Sequence, residues 1–165
     1  MYSYRKITDD LVYVGVDDRR LPLFENLFPL ERGVSYNSYL LLDEKTALLD
    51  TCDHTVAHQF LENVEHALGG RALDYLVIHH MEPDHCGSFE DIYRRYPDLC
   101  IISNMKTFQM LEQFFSFAIP EKNRIVVKDG EEFSFGKHSF KFLFAPMVHW
   151  PEVMFSYDIT DSILF

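Results

Sequence analysis

The chain has 165 residues, of which 47% are hydrophobic and 25% charged, a length and mix that build one globular domain with a sizeable core and exclude a disordered chain. Lysine and arginine number 15 against 26 aspartate and glutamate, and the resulting net charge of −11 argues against nucleic acid or an anionic membrane surface as a partner. No apolar run approaches the roughly 18 residues of a membrane span, and the start Met1-Tyr2-Ser3-Tyr4-Arg5-Lys6 lacks the apolar core of a secretion signal, so a cytosolic location is expected.

Leu11 to Val16 reads as a strand. After a loop rich in proline and phenylalanine, Ser35 to Leu42 and Lys45 to Leu49 read as a hairpin turning at Asp43-Glu44. Asp53 is placed to cap a helix whose apolar residues Val56, Phe60, Val64 and Ala67 recur at three- and four-residue spacing until Gly69-Gly70 stop it. Tyr75 to Ile78 is a short continuous apolar run, the kind buried on both faces, and it leads straight into His79-His80-Met81-Glu82-Pro83-Asp84-His85. A second helix begins at Ser88 and closes before Pro97, and Leu99 to Ile102 is a strand. Ser103 or Asn104 caps a third helix with Phe108, Leu111 and Phe115 on one side. Ile125 to Val127, Glu131 to Phe135, Ser139 to Phe144, Val153 to Tyr157 and Ser162 to Phe165 read as further strands. Hairpins alternating with strand-helix units predict a layered α/β sandwich, and the apolar end Ile163-Leu164-Phe165 predicts that the sandwich is incomplete at the C-terminus. The three cysteines, Cys52, Cys86 and Cys100, have no Cys-x-x-Cys spacing and read as reduced, small hydrophobic residues.

Four metal-ligand side chains, His80, Glu82, Asp84 and His85, fall within six residues, and no lysine or arginine in the segment neutralises its carboxylates. Alternate residues of an extended segment point the same way, so His80, Glu82 and Asp84 are expected to converge while His85 swings in as the chain turns toward the next helix. His149 is the distant fifth candidate, on a loop stiffened by Pro146 and Pro151. His79 should face the other way, as a packing or supporting group. His54, His58 and His66 read as solvated helix residues, and His138 as a residue of a hairpin turn. Two carboxylates among four local ligands favour a hard, redox-active ion, iron before manganese or zinc, and five donors point to a pair of metals.

The segment His80 to His85 resembles the His-x-His-x-Asp-His loop of the metallo-β-lactamase-like fold, with Glu82 in place of the middle histidine. In the form His-x-Glu-x-Asp-His it is similar to the iron-binding loop of flavodiiron proteins, and Pro146-Met147-Val148-His149-Trp150-Pro151 with Met154-Phe155 is similar to the next ligand loop of that family. Asp50-Thr51 resembles the fold's strand-end Asp-Thr.

The resemblance implies an αββα sandwich, covered here by its N-terminal part, in which His80, Glu82 and His149 hold one iron while Asp84 and His85 serve the other. It also implies a bridging aspartate, a last histidine and a flavodoxin-like FMN domain beyond Phe165; Asp158, inside a strand, and Asp161, in a turn, are not expected to be the bridge. The implied activity of the full-length parent is reduction of dioxygen to water or nitric oxide to nitrous oxide, with electrons from FMN. The implied partners are a rubredoxin-like electron donor, a small diatomic substrate and a second subunit arranged head to tail. Two other readings stand beside it: a zinc hydrolase of the same fold, against which Glu82 argues, and a flavin-free di-iron sensor that binds dioxygen without turnover. Trp150, beside His149, is expected to line the small-molecule pocket or the contact with the partner subunit's flavin, with plain packing as the alternative.

Overall fold

The computed structural model describes residues 3–165; the first two residues of the start read above lie outside it. β1 (Arg5–Lys6) and β2 (Leu11–Tyr13) form an antiparallel pair. β3 (Val16–Asp18), β4 (Leu23–Phe24), β5 (Phe28–Pro29) and β6 (Val34–Tyr36) then make two small ribbons, β3 with β6 and β4 with β5. β7 (Tyr39–Leu42) and β8 (Thr46–Leu49) are the expected hairpin, with Leu40 opposite Leu48.

Two expected strands break. The run from Leu11 stops at Tyr13 and that from Ser35 stops at Tyr36, because the chain changes partner there. The Val14 N–H donates to Ser38 O at 2.9 Å, the buried Ser38 hydroxyl donates to Asp50 O at 2.9 Å, and Val16 to Asp18 leaves the main sheet to pair with Val34 to Tyr36.

Asp53 accepts the Thr55 N–H at 2.8 Å and starts a single 3-10 turn, His54–Val56, from which α1 (Ala57–Leu68) continues until Gly69 at φ 57° ends it. β9 (Tyr75–Val77) is followed by α2 (Pro83–Cys86), α3 (Phe89–Arg95), β10 (Cys100–Ser103), α4 (Met105–Phe114) and β11 (Arg124–Val126). Asn104 caps α4, taking the Thr107 N–H at 3.0 Å. β12 (Glu132–Ser134), β13 (Ser139–Phe144), β14 (Met154–Asp158) and β15 (Ile163–Leu164) complete the chain.

The main sheet runs β1-β2-β7-β8-β9-β10-β11, antiparallel up to β8 and parallel from β8 to β11. The second sheet, β12 to β15 in order, is antiparallel throughout. Alternating residues of the main strands serve two cores. Leu40, Leu48, Leu76 and Ile101 pack with Phe60 and Val64 of α1, Phe89 and Ile92 of α3, and Phe108 and Leu111 of α4. Leu41, Ala47, Leu49, Val77 and Ile102 pack with Phe140, Phe142 and Met154 of the second sheet. Helices, main sheet and second sheet are thus three successive layers of the αββα order, and burial on both faces explains why neighbouring residues Leu76 and Val77 of β9, and Ile101 and Ile102 of β10, are all apolar. No helix among the described residues is long and apolar enough to cross a membrane. The cysteines are free, Cys52 and Cys86 being buried.

His138 lies in the hairpin turn between β12 and β13, as expected, and it is fully buried there: Nδ1 lies 2.7 Å from Asp158 Oδ2 and Nε2 lies 3.0 Å from Asp10 Oδ2. Burial opposes its charge, yet the two carboxylates outweigh burial and raise its pKa. This clasp ties the turn before β2 to the second sheet. Asp161 also approaches it, but Lys137 already neutralises Asp10 at 2.9 Å, so the group reads as an ion cluster.

Candidate metal centre

The centre forms where β9 runs out at the carboxyl end of the parallel strands, the edge at which open α/β sheets bind ligands. The Ile78 N–H still pairs with Ile102 O at 3.1 Å, and the His79 N–H is taken by Asp50 Oδ1 at 2.7 Å. Asp50 sits at φ 54°, a left-handed conformation that aspartate tolerates better than most residues. His79 turns toward the second sheet as expected, its Nε2 2.7 Å from Ser156 Oγ and its Nδ1 3.2 Å from Asp50 Oδ2. His80 turns the other way.

His80, Glu82 and His149 come together although 69 residues separate the two histidines. His80 Nε2 lies 3.0 Å from Glu82 Oε2 and 3.1 Å from His149 Nε2, and the latter two atoms are 3.1 Å apart. Donors bound about 2.1 Å from a metal stand roughly 3.0 Å apart on one face of an octahedron and roughly 3.4 Å apart around a tetrahedron. The triangle therefore fits an octahedral face, and two imidazoles with one carboxylate on such a face are the donor set of non-haem ferrous sites.

Asp84 does not join by strand alternation. Glu82 is extended (φ −62°, ψ 146°), but Pro83 opens the single turn α2, so Asp84 and His85 leave the extended line. His85 Nε2 and Asp84 Oδ2 are 3.5 Å apart, and Asp84 Oδ1 is buried with no partner among the described residues. His85 Nδ1 donates to Asp50 Oδ2 at 2.9 Å, and its backbone oxygen takes both the N–H (2.7 Å) and the hydroxyl (2.9 Å) of Thr51. The expected residues thus fall into a triad and a neighbouring pair, with the His80 and His85 rings 5.3 Å apart.

The electrostatics favour a cation. Burial, then the carboxylates of Glu25 and Asp84, push the Glu82 carboxyl up to about 7, with only His149 opposing them. Burial would raise the Asp50 carboxyl too, but His79 and His85 hold it well below the ordinary range. Residues 79–87 contain no lysine or arginine. The remaining histidines stay apart: His54 meets Asp91 at 3.2 Å, His58 lies 4.0 Å from Glu62, and the His66 ring meets Tyr4. Asp158 is engaged by His138.

Two features escaped the sequence reading. Glu152 is 1% exposed, and its Oε1 lies 2.7 Å from His80 Nδ1 and accepts the Met81 N–H at 2.9 Å. Glu25, at the tip between β4 and β5, lies with Glu82 and Asp84 around one cavity. Neither carboxylate belongs to a ligand-spaced motif. The Trp150 ring meets His80 edge-on at 5.2 Å and walls an apolar cavity with Met81, Cys86, Phe114 and Phe115.

Known proteins resemble the chain as a whole. A family model described as ODP family beta lactamase matches residues 34–165. A nitric oxide reductase from Moorella thermoacetica is 36% identical over 159 residues, covering 96% of this chain and 39% of that protein. The flavodiiron protein from Giardia intestinalis superposes with a TM-score of 0.91 at 25% identity, over 100% of this chain and 40% of the other. The rubredoxin oxygen:oxidoreductase from Desulfovibrio gigas gives a TM-score of 0.90 at 30% identity, over 98% of this chain and 40% of the other. The chain spans about 40% of the length of these relatives. The resemblance drawn from the two ligand loops is borne out, and with flavodiiron proteins as its structural neighbours the chain belongs to the ODP family of β-lactamase-fold proteins.

Proposed function

We propose that this chain supplies His80, Glu82 and His149 to one iron and Asp84 and His85 to a second, within a flavodiiron enzyme that reduces nitric oxide or dioxygen. The triangle of donors at 3.0 to 3.1 Å carries the reading. When bound, ferrous iron supplies electrons to a small diatomic, two from the pair, and FMN supplies those beyond two. The chain's own residues fix where this happens. β9 and the loop between β13 and β14 bring the ligands together, and Met81, Phe114, Phe115 and Trp150 wall the adjacent cavity with apolar surface.

The same surroundings support a neutral diatomic over a hydrolase substrate. An anionic ester or lactam approaching Glu25, Glu82 and Asp84 on a chain of net charge −11 is repelled, whereas nitric oxide or dioxygen meets no such barrier. FMN on a flavodoxin-like domain, a rubredoxin-like donor and a head-to-tail partner subunit complete the proposal. The names of the Moorella and Desulfovibrio relatives support the gases and the donor.

The test is anaerobic ferrous loading of a protein carrying this chain and the FMN domain, followed by gas consumption under a reductant. Consumption of nitric oxide or dioxygen, abolished by His80→Ala, supports the proposal. Zinc retention with ester hydrolysis and no gas consumption overturns it.

A further inference from the structure

His80 stands between two carboxylates, one at each ring nitrogen. Nδ1 is 2.7 Å from Glu152 Oε1 and Nε2 is 3.0 Å from Glu82 Oε2. A neutral imidazole carries one N–H and one lone pair, so only one of these contacts is an N–H donation. If the proton sits on Nε2, it occupies the point where the triad meets and His80 is lost as a donor. If it sits on Nδ1, the Nε2 lone pair is free. Which carboxylate holds the N–H therefore decides whether the triad can bind a cation.

We propose that Glu152 is the positioning residue of this centre, holding the His80 proton on Nδ1 so that Nε2 faces Glu82 and His149. The proposal rests on the metal-centre reading above. Three observations favour Glu152 over Glu82 as the acceptor. Its contact is shorter than that to Glu82, its Oε1 is fixed in place by the Met81 N–H, and it is buried on the side of the ring away from the triad. The backbone is braced as well: Asn104, the cap of α4, donates from Nδ2 to Glu152 O at 2.6 Å. One short loop thus carries His149, which meets the triad directly, and Glu152, which aims the other histidine. A buried carboxylate behind a metal-bound imidazole also makes it a stronger donor, and losing such a partner typically lowers metal affinity about ten- to a hundredfold.

Two measurements on the 165-residue chain test this, one with metal and one without. In the metal-free protein, nitrogen-15 NMR of the His80 ring should show the Nδ1–H form in the wild type and in Glu152→Gln, whose amide oxygen still accepts. In Glu152→Leu the proton should move to Nε2. Titration with cobalt(II), followed by its visible spectrum, should show affinity several-fold weaker in Glu152→Gln and about ten- to a hundredfold weaker in Glu152→Leu, with the bands shifted in the latter. Far-ultraviolet circular dichroism identifies any variant that has not folded.

An Nδ1–H form retained in Glu152→Leu, or cobalt affinity within twofold of wild type in that variant, overturns the proposal. So does an Nε2–H form in the wild type, which decides the matter even if Glu152→Leu fails to fold. Cobalt affinity unchanged in His80→Ala sinks the metal-centre reading, while the NMR comparison still judges Glu152 by itself.

Discussion

Asp50 and His85 are bound to each other across 35 residues of sequence: His85 Nδ1 donates to Asp50 Oδ2 at 2.9 Å, while Asp50 Oδ1 holds the His79 N–H at 2.7 Å. One buried carboxylate thus fixes both the backbone at the end of β9 and the ring of the candidate ligand beyond it. Replacing it by alanine leaves the buried His79 N–H unpaired, at about 1 to 3 kcal/mol, and frees the His85 ring. Asp50→Ala is expected to melt earlier and to lose the second metal equivalent first, whereas Asp50→Asn, which keeps an acceptor, keeps most of the stability. Urea unfolding and metal analysis of both variants check this.

Glu82 sets the choice of metal. Glu82→His rebuilds the hydrolase pattern around the triad, exchanging a hard oxygen donor for a third imidazole. Loading with equal concentrations of ferrous iron and zinc is expected to shift at least about tenfold toward zinc in the variant. An unchanged metal ratio would show that Glu82 does not contribute to the centre.

Gly87 closes α2 where two stretches of backbone touch. A Cβ built there would lie 2.5 Å from Pro83 O and 2.8 Å from His54 N, neither of which is free to move aside. Gly87→Ala is expected to cost about 1 to 3 kcal/mol in urea unfolding and to weaken metal binding, because the turn that carries Asp84 and His85 must open.

The His138 clasp gives stability a defined pH dependence. Its raised pKa means that its contribution is complete below about 6.5 and is lost as pH rises through the folded value. Asp10 behaves oppositely: burial raises its pKa, but Lys137 and His138 depress it overall, so its contribution is complete above about 3.9 and fades in acid. The clasp is strongest between these limits. At pH 6 His138→Gln is expected to lose about 3 kcal/mol by stranding buried Asp158, and the gap from wild type should narrow by pH 9. Denaturant titrations across that range are the measurement.

The parts of the fold legible in the sequence are those written in local patterns. The apolar spacing of Phe60 and Val64, the Asp53 cap and the Gly69 stop mark α1, and continuous apolar runs mark β9 and β10 as doubly buried. α2 is legible only in hindsight: Pro83 keeps Glu82 extended, and proline also favours the first position of a helix, where Asp84 suits the first turn. The breaks at Tyr13 and Tyr36 came from pairing partners distant in the chain, as did the burial of His138 between Asp10 and Asp158. Glu152 carries no pattern of its own, since what it does depends on His80 arriving from the other sheet.

That meeting of sheets has a kinetic consequence. His80 follows β9 of the first sheet and His149 hangs from a loop of the second, so the triad can be complete only after the two layers have docked face to face. Pairings so remote along the chain form late in folding. A coloured ion such as cobalt added during refolding would therefore act as a stopwatch for layer assembly, silent while each sheet forms alone and visible once they close on one another.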